Sequence, residues 1–129
     1  MERKPAPSPA SQSHDAFFRE SFSNVETVKG YIEHCLPPQI GAAMRLETLK
    51  QENTSFLDRR LRKHFSDVIW RCELKNGKKL TVSILFDHKS EYDELAVFQL
   101  LRYVMLIWDS EIRHKKRPMP ILPIVVYHC

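Results

Sequence analysis

The chain has little cysteine: Cys35, Cys72 and Cys129 are its only three, widely separated and odd in number. No Cys-x-x-Cys pair and no Cys/His pairing has the spacing of a zinc site, which argues against a structural zinc module. The count suits a reducing compartment, where free buried cysteine is tolerated. A long hydrophobic run is also missing. The most apolar stretch, Ala96 to Trp108, is interrupted by Gln99, Arg102 and Tyr103 and is too short to span a bilayer. The first thirteen residues contain no apolar segment, so no signal peptide is expected. Neither sign of charge dominates, with 20 Lys and Arg against 16 Asp and Glu, a net +4. That balance permits a polyanionic partner without demanding one. There is no internal repeat. What remains is a soluble chain, expected in the cytoplasm and without a membrane partner, with room for one domain.

Proline, serine and alanine crowd Met1 to Ser13, which reads as a disordered leader. Ser13 is placed to cap a helix that begins at His14-Asp15, with Phe18, Phe22 and Val25 at helical spacing. A second helix is expected over Val25 to Cys35, ended by Pro37-Pro38. Met44 to Lys50 alternates weakly and suits strand or loop equally. From His64 to Phe86 the alternation is clear, and Asn76-Gly77 interrupts it, which predicts a β-hairpin. Tyr92 to Ile112 is the longest expected helix, with Leu95, Phe98, Leu101, Met105 and Trp108 recurring at three- and four-residue steps. It is apolar over much of its circumference and is expected to be well buried. A basic linker, Lys115 to Pro120, then leads into a buried strand, Ile121 to Tyr127. The order describes an α/β arrangement.

Asp87-His88-Lys89 ends the second hairpin strand, and Asp67 lies in the first. A three-residue loop, Asn76-Gly77-Lys78, would pair Lys75 with Lys79 and set Asp67 directly across from Asp87. Two carboxylates on one face could bind Mg²⁺, or Mn²⁺, since oxygen-only donors suit these ions better than zinc. Lys89, two residues after Asp87, would share that face, and its ammonium could stabilise negative charge developing on phosphorus. Such a set suits metal-dependent phosphodiester hydrolysis. The triplet is equally a plain polar strand end, with Asp67 an incidental strand residue. His88 is expected to point away from the acidic pair, and a histidine nucleophile has no second histidine at suitable spacing. Gln99 and Tyr103, four residues apart on one helix face, could hydrogen-bond a phosphate or merely satisfy buried polar groups. Asp15 could approach the acidic pair as a further metal ligand or serve only its helix N-terminus.

His14-Asp15-Ala16-Phe17-Phe18, Leu36-Pro37, Ser66-Asp67, Asp87-His88-Lys89-Ser90, Phe98-Gln99-Leu100-Leu101-Arg102-Tyr103 and Ile124-Val125-Val126-Tyr127-His128 follow in one order. In that order the chain resembles the N-terminal part of the bacterial recombination-promoting nucleases, a family also described as transposases. The resemblance covers nearly everything after the leader. It implies a PD-(D/E)xK nuclease core over residues 14–129, a small mixed sheet with flanking helices, truncated at its C-terminal end. It further implies Asp67 and Asp87 as metal carboxylates, Lys89 as the catalytic lysine, Asp15 as the first-helix acid, and Gln99 and Tyr103 as a partial match to the family's helix motif. Where the family usually has Glu-His-Gln-Ser, this chain has Asp-His-Lys-Ser, closer to the wider superfamily pattern. The expected function is a Mg²⁺-dependent DNA endonuclease, with DNA as partner, and with a homo-oligomer left open. The alternatives are an inactive DNA-binding remnant, or a small interaction module that uses its terminal strand.

Overall fold

The two alternating segments around Asn76-Gly77 form the centre of the structure, a computed structural model that describes residues 9–88 and 94–127. They are β2 (Phe65–Leu74) and β3 (Lys79–Asp87), paired antiparallel. Before them runs β1 (Met44–Glu52), antiparallel to β2 with a register irregularity between Arg45 and Lys50. After them β4 (Ile121–Tyr127) adds on the far side, parallel to β3. The result is a four-stranded mixed sheet in chain order. The expectation of an α/β fold with a small mixed sheet holds, and Met44 to Lys50 resolves as strand.

The hairpin loop has the expected length and glycine geometry but starts one residue earlier. Leu74 N–H donates to Lys78 O (2.7 Å) and Gly77 N–H to Leu74 O (2.9 Å), so the loop is Lys75-Asn76-Gly77. Gly77 sits at φ 87°, the left-handed residue that closes a type I turn with a bulge. Asp67 therefore faces Leu85, and Asp87 faces Phe65, instead of the direct Asp67–Asp87 pairing expected. A slip of one loop residue moves the pairing by two positions. That preserves which face each side chain takes, because the side-chain period along a strand is two.

Helices cover both faces. On one side are α1 (Pro9–Phe22), α2 (Val25–Cys35) and the short α3 (Pro38–Ala42). Helix α1 begins before Ser13, so Ser13 lies within it instead of capping it, and the leader expected to be disordered is helical from Pro9 onward. Proline suits a first helical turn, where its missing N–H has no partner to lose. Asn24 caps α2, its Oδ1 accepting from the N–H groups of Glu26 (2.9 Å) and Thr27 (3.4 Å). Phe18, Phe22, Val28 and Ile32 pack on Val68, Trp70, Val82, Ile84 and Phe86, the even-numbered face of the hairpin. Trp70 Nε1 also donates to Phe22 O at 2.8 Å, satisfying a carbonyl at the helix end.

On the odd-numbered face lies α4 (Leu95–Arg113), the crossover between parallel strands β3 and β4. It meets the sheet through Tyr103, Ile107 and Glu111; the first two join Leu57, Leu61, Phe65 and Leu85 in a second, smaller apolar cluster. Here the expected burial is corrected. Leu95, Phe98, Leu101 and Met105, read from their spacing as the packed stripe, all face outward.

Gly77 and Gly30 give opposite tests of this backbone. A Cβ at either Gly77 or Gly30 would meet no atom within 4 Å, so neither substitution clashes. Gly77→Ala should cost about 1–2 kcal/mol, because only φ opposes it. Gly30→Ala, inside α2, should stabilise by about 0.5–1 kcal/mol. Urea denaturation of both variants against the parent checks the pair, and equal effects would contradict the turn geometry.

Candidate functional site

Asp67 and Asp87 project from the same face of the β2–β3 pair, the one beneath α4, and both are almost fully buried at 2% and 3% exposure. They are diagonal neighbours, a relation that separates Cα atoms by about 7–8 Å. Two carboxylates taken out of water at one spot are costly unless donors or a cation compensate.

For Asp67 the donors are visible. Ser55 Oγ donates to Oδ1 at 2.6 Å, Phe56 N–H to Oδ2 at 3.0 Å, and the Tyr103 hydroxyl to Oδ2 at 2.8 Å. The first two come from the β1–β2 loop. That loop is itself held to α4, because Asp58 pairs with Arg102 while its Oδ1 accepts from Leu61 N–H at 2.8 Å. The Arg102 guanidinium and the Leu61 N–H both favour ionised Asp58, whose pKa is lowered, the Leu61 bond being the larger cause. Tyr103 is driven the other way: burial first, then the negative charge of Asp67, raise its phenol well above the ordinary 10.0. The hydroxyl therefore stays protonated and donates. A carboxylate offers about four acceptor positions. Three are used on Asp67 by the described residues, leaving room on Oδ1 for one more ligand.

The other expected site residues divide. Tyr103 does meet Asp67, although its hydroxyl orients the carboxylate instead of lining a cleft. Gln99 is half-buried one turn earlier on α4, on the same side as Tyr103. Lys89 lies outside the described residues. Asp15 is the correction: it accepts a hydrogen bond from Ser66 Oγ, and Ser66 precedes Asp67 on β2 and so points to the opposite face. His88 joins it there, Nε2 lying 2.9 Å from Ser66 Oγ and 4.0 Å from Asp15 Oδ1, with its ring against Phe86. His88 thus points away from the acidic pair, as expected, but toward a partner cluster that the sequence did not reveal. Among the described residues no group of three or more His, Cys, Asp or Glu is placed to hold a metal ion, so Asp15, Asp67 and Asp87 do not form one ligand set.

Sequence reasoning missed Ser55, the Phe56 N–H and the Asp58–Arg102 tie. Nothing in a polar loop between strands marks which of its groups will turn inward. It also missed a cleft at the hairpin end of the sheet, away from Asp67. There Lys50, Arg71, Lys79, Lys116 and Arg117 converge from separate segments, against Glu52 and Glu73. Arg71 is braced inside it by Glu52 (2.7 Å), by Thr81 and by the buried Glu111 (3.7 Å), whose other oxygen accepts from Met119 N–H at 2.9 Å.

Comparison with known proteins gives this geometry a context. The family described as "Putative transposase, YhgA-like" matches residues 12–129. Recombination-promoting nuclease RpnD of Escherichia coli O157:H7 is 32% identical over 120 residues, covering 92% of this chain and 46% of that protein. Recombination-promoting nuclease RpnA of Escherichia coli strain K12 is 29% identical over 120 residues, covering 92% of the chain and 41% of its own length. A relative from the same strain, the inactive recombination-promoting nuclease-like protein RpnE, is 31% identical over 119 residues, with 92% and 38% covered. The chain thus spans less than half the length of each of these relatives. No solved structure matches it.

Tyr103→Phe tests the carboxylate's support. Losing a donor to a buried charged group should destabilise the fold by about 1.5–3 kcal/mol near neutral pH. The phenol's raised pKa means that its contribution is complete below the unfolded value of 10.0 and declines as pH rises above it, because only the unfolded tyrosine then ionises. The gap between parent and variant should therefore narrow above pH 10 by about 1.4 kcal/mol per pH unit. Denaturant titrations at pH 7 and at several alkaline values measure it, and a gap independent of pH would remove Tyr103 from this role.

Proposed function

The chain belongs to the YhgA-like transposase family, which includes the recombination-promoting nucleases, and from this premise we propose that it is the core of a metal-dependent DNA endonuclease. The observation that carries the reading is the buried acidic pair, Asp67 and Asp87, on one face at the end of the β2–β3 pair. Both are hard oxygen donors, and Asp67 keeps an acceptor position after its three hydrogen bonds, so the residues fit Mg²⁺ or Mn²⁺. A divalent ion held there would supply Lewis-acid polarisation of a phosphoryl oxygen and balance the paired negative charge.

The chain's own residues do the rest. Ser55, the Phe56 N–H and Tyr103 fix the orientation of Asp67, so it is preorganised before any ligand arrives. Tyr103 is in this sense a positioning residue. Lys89 keeps the role that its spacing and the family resemblance give it, stabilisation of charge on the phosphoryl group. Gln99 is the candidate to hydrogen-bond a phosphate oxygen from α4. Asp15, with Ser66 and His88, supports the other face of the same strand end instead of completing the acidic pair.

The basic cleft supports DNA as the substrate. It has five cations against two carboxylates, an excess suited to backbone phosphates and blind to sequence. Exchanging Lys116 and Arg117 together for glutamate should weaken duplex binding and reduce the slope of log affinity against log salt by about two. Fluorescence anisotropy at several salt concentrations, in EDTA to prevent cleavage, reads that slope, and an unchanged slope would remove the cleft from the binding surface.

For the reaction itself, plasmid nicking should require Mg²⁺ or Mn²⁺ and fall about a hundredfold or more in Asp87→Ala, beyond what loss of an outer-shell partner produces. Equal cleavage by parent and variant would sink the assignment. A second reading has a specific support, since RpnE, which matches this chain as extensively as the nucleases do, is named inactive. In that reading the chain binds DNA without cutting it. Salt-dependent binding in EDTA, with no nicking under either metal, selects it.

A further inference from the structure

The outer face of α4 is more apolar than a solvated helix requires. Leu95, Val97, Phe98, Leu101, Met105 and Ile112 are between 49% and 68% exposed, and they make up most of the large exposed apolar side chains among the described residues. Phe98, Leu101, Met105 and Ile112, with half-buried Trp108, follow one another at alternating three- and four-residue steps. That is the spacing of the a and d positions of a coiled-coil seam. The stripe lies opposite Tyr103, Ile107 and Glu111, which hold the helix to the sheet, so it faces away from the protein's own core. A continuous exposed apolar stripe of this kind marks a contact surface.

The charges beside the stripe identify what fits it. In the same heptad frame Arg102 and Asp109 take the e positions, and Val97, Val104 and Glu111 take the g positions. A parallel helix pair sets e against g. Arg102 and Asp109 would then face two valines and a glutamate that is buried against the sheet at 4% exposure. An antiparallel pair sets e against e. With the two-fold axis at Met105, Arg102 lies beside the partner's Asp109, and the reverse contact repeats the pair. The same axis packs Phe98 on the partner's Ile112. Only the antiparallel arrangement is self-complementary in charge, as an isologous two-fold contact requires. Both groups can serve it without releasing their partners within the chain: Arg102, held to Asp58, carries five N–H donors, and Asp109, held to Arg113 at 3.2 Å, has further acceptor positions.

We propose that α4 docks in antiparallel orientation on α4 of a second copy of this chain, with Met105 on the two-fold axis. The contact covers the apolar stripe and leaves the sheet, the acidic pair and the β1–β2 loop as they are. It does not rest on the nuclease reading.

Sedimentation velocity of the full chain from about 1 to about 100 μM, a range that brackets micromolar association, should show a monomer–dimer equilibrium. Met105→Glu sets two carboxylates against each other at the axis and should raise the dissociation constant by at least about tenfold. Because Met105 is exposed, circular dichroism should match the parent, as should the thermal midpoint at a concentration where both are monomeric. A second variant reads geometry directly. In a chain carrying Cys35→Ser and Cys129→Ser, Met105→Cys should form a disulfide-linked dimer on mild oxidation, since the axis pairs that position with itself. Ile112→Cys in the same background should not, because it meets the partner's Phe98. A monomer throughout the range overturns the proposal, as does a dimer that Met105→Glu leaves intact or that Ile112→Cys traps as readily as Met105→Cys.

Discussion

The hydrogen bonds that Asp67 accepts, above all the one from Tyr103, tie together three parts of the chain. Asp67 belongs to a central strand, Tyr103 to the crossover helix, and the remaining donors, Ser55 and the Phe56 N–H, to the loop before the strand. A carboxylate at 2% exposure is tolerated only when its acceptor positions are filled or a cation balances it. Satisfying Asp67 therefore fixes the height of α4 over the sheet and the inward turn of the loop. Leu57 and Leu61, which follow those loop donors, then fall against Phe65, Leu85 and Ile107. The small second core is in part a consequence of one buried charge.

A corresponding constraint holds the other end of α4. Glu111, eight residues and a little over two helical turns beyond Tyr103, is also buried, between Arg71 and the N–H of Met119. Tyr103, Ile107 and Glu111 lie at steps of four, so one face of the helix carries two polar anchors around one apolar residue. This explains why hydrophobic spacing alone pointed to the wrong face. Leu95, Phe98, Leu101 and Met105 form the longer apolar stripe, and burying them would release more water-exposed area. It would also leave Asp67 without its phenol and the buried Glu111 without Arg71 and the Met119 N–H. The cost of an unsatisfied buried charge exceeds the gain from a few aliphatic side chains, and the polar pair sets the orientation.

Much of the sheet was legible because strand periodicity is a strong constraint. The hairpin, its three-residue loop and the shared face of Asp67 and Asp87 all followed from alternation around Asn76-Gly77. The exact register did not, and the reason lies in one residue. In a three-residue loop of this type the left-handed position comes last, after a type I turn. Gly77 at φ 87° must therefore end the loop, which gives Lys75-Asn76-Gly77. Placing it in the middle moved the expected pairing by two and made diagonal neighbours look directly opposed. The donors to Asp67 were not legible in the same way. A serine and a backbone N–H in a loop carry no periodic signal, and their direction is set by contacts distant in sequence.

Alternation also decides how the candidate site residues are distributed. Ser66 and Asp67 are adjacent on β2, and Asp87 and His88 are adjacent at the end of β3, so each neighbouring pair straddles the sheet. Asp67 and Asp87 turn toward α4, while Ser66 and His88 turn toward α1 and meet Asp15. A reading that gathers all the acids into one ligand set treats the motif as a list of residues and ignores this division. The unit that the motif marks is the end of the β2–β3 pair, with a buried acidic face on one side and a Ser–His–Asp cluster bracing the other. His88 N–H donates to His64 O at 2.8 Å, so the ladder continues one step past Asp87. That bond and the cluster hold the backbone immediately after the second aspartate.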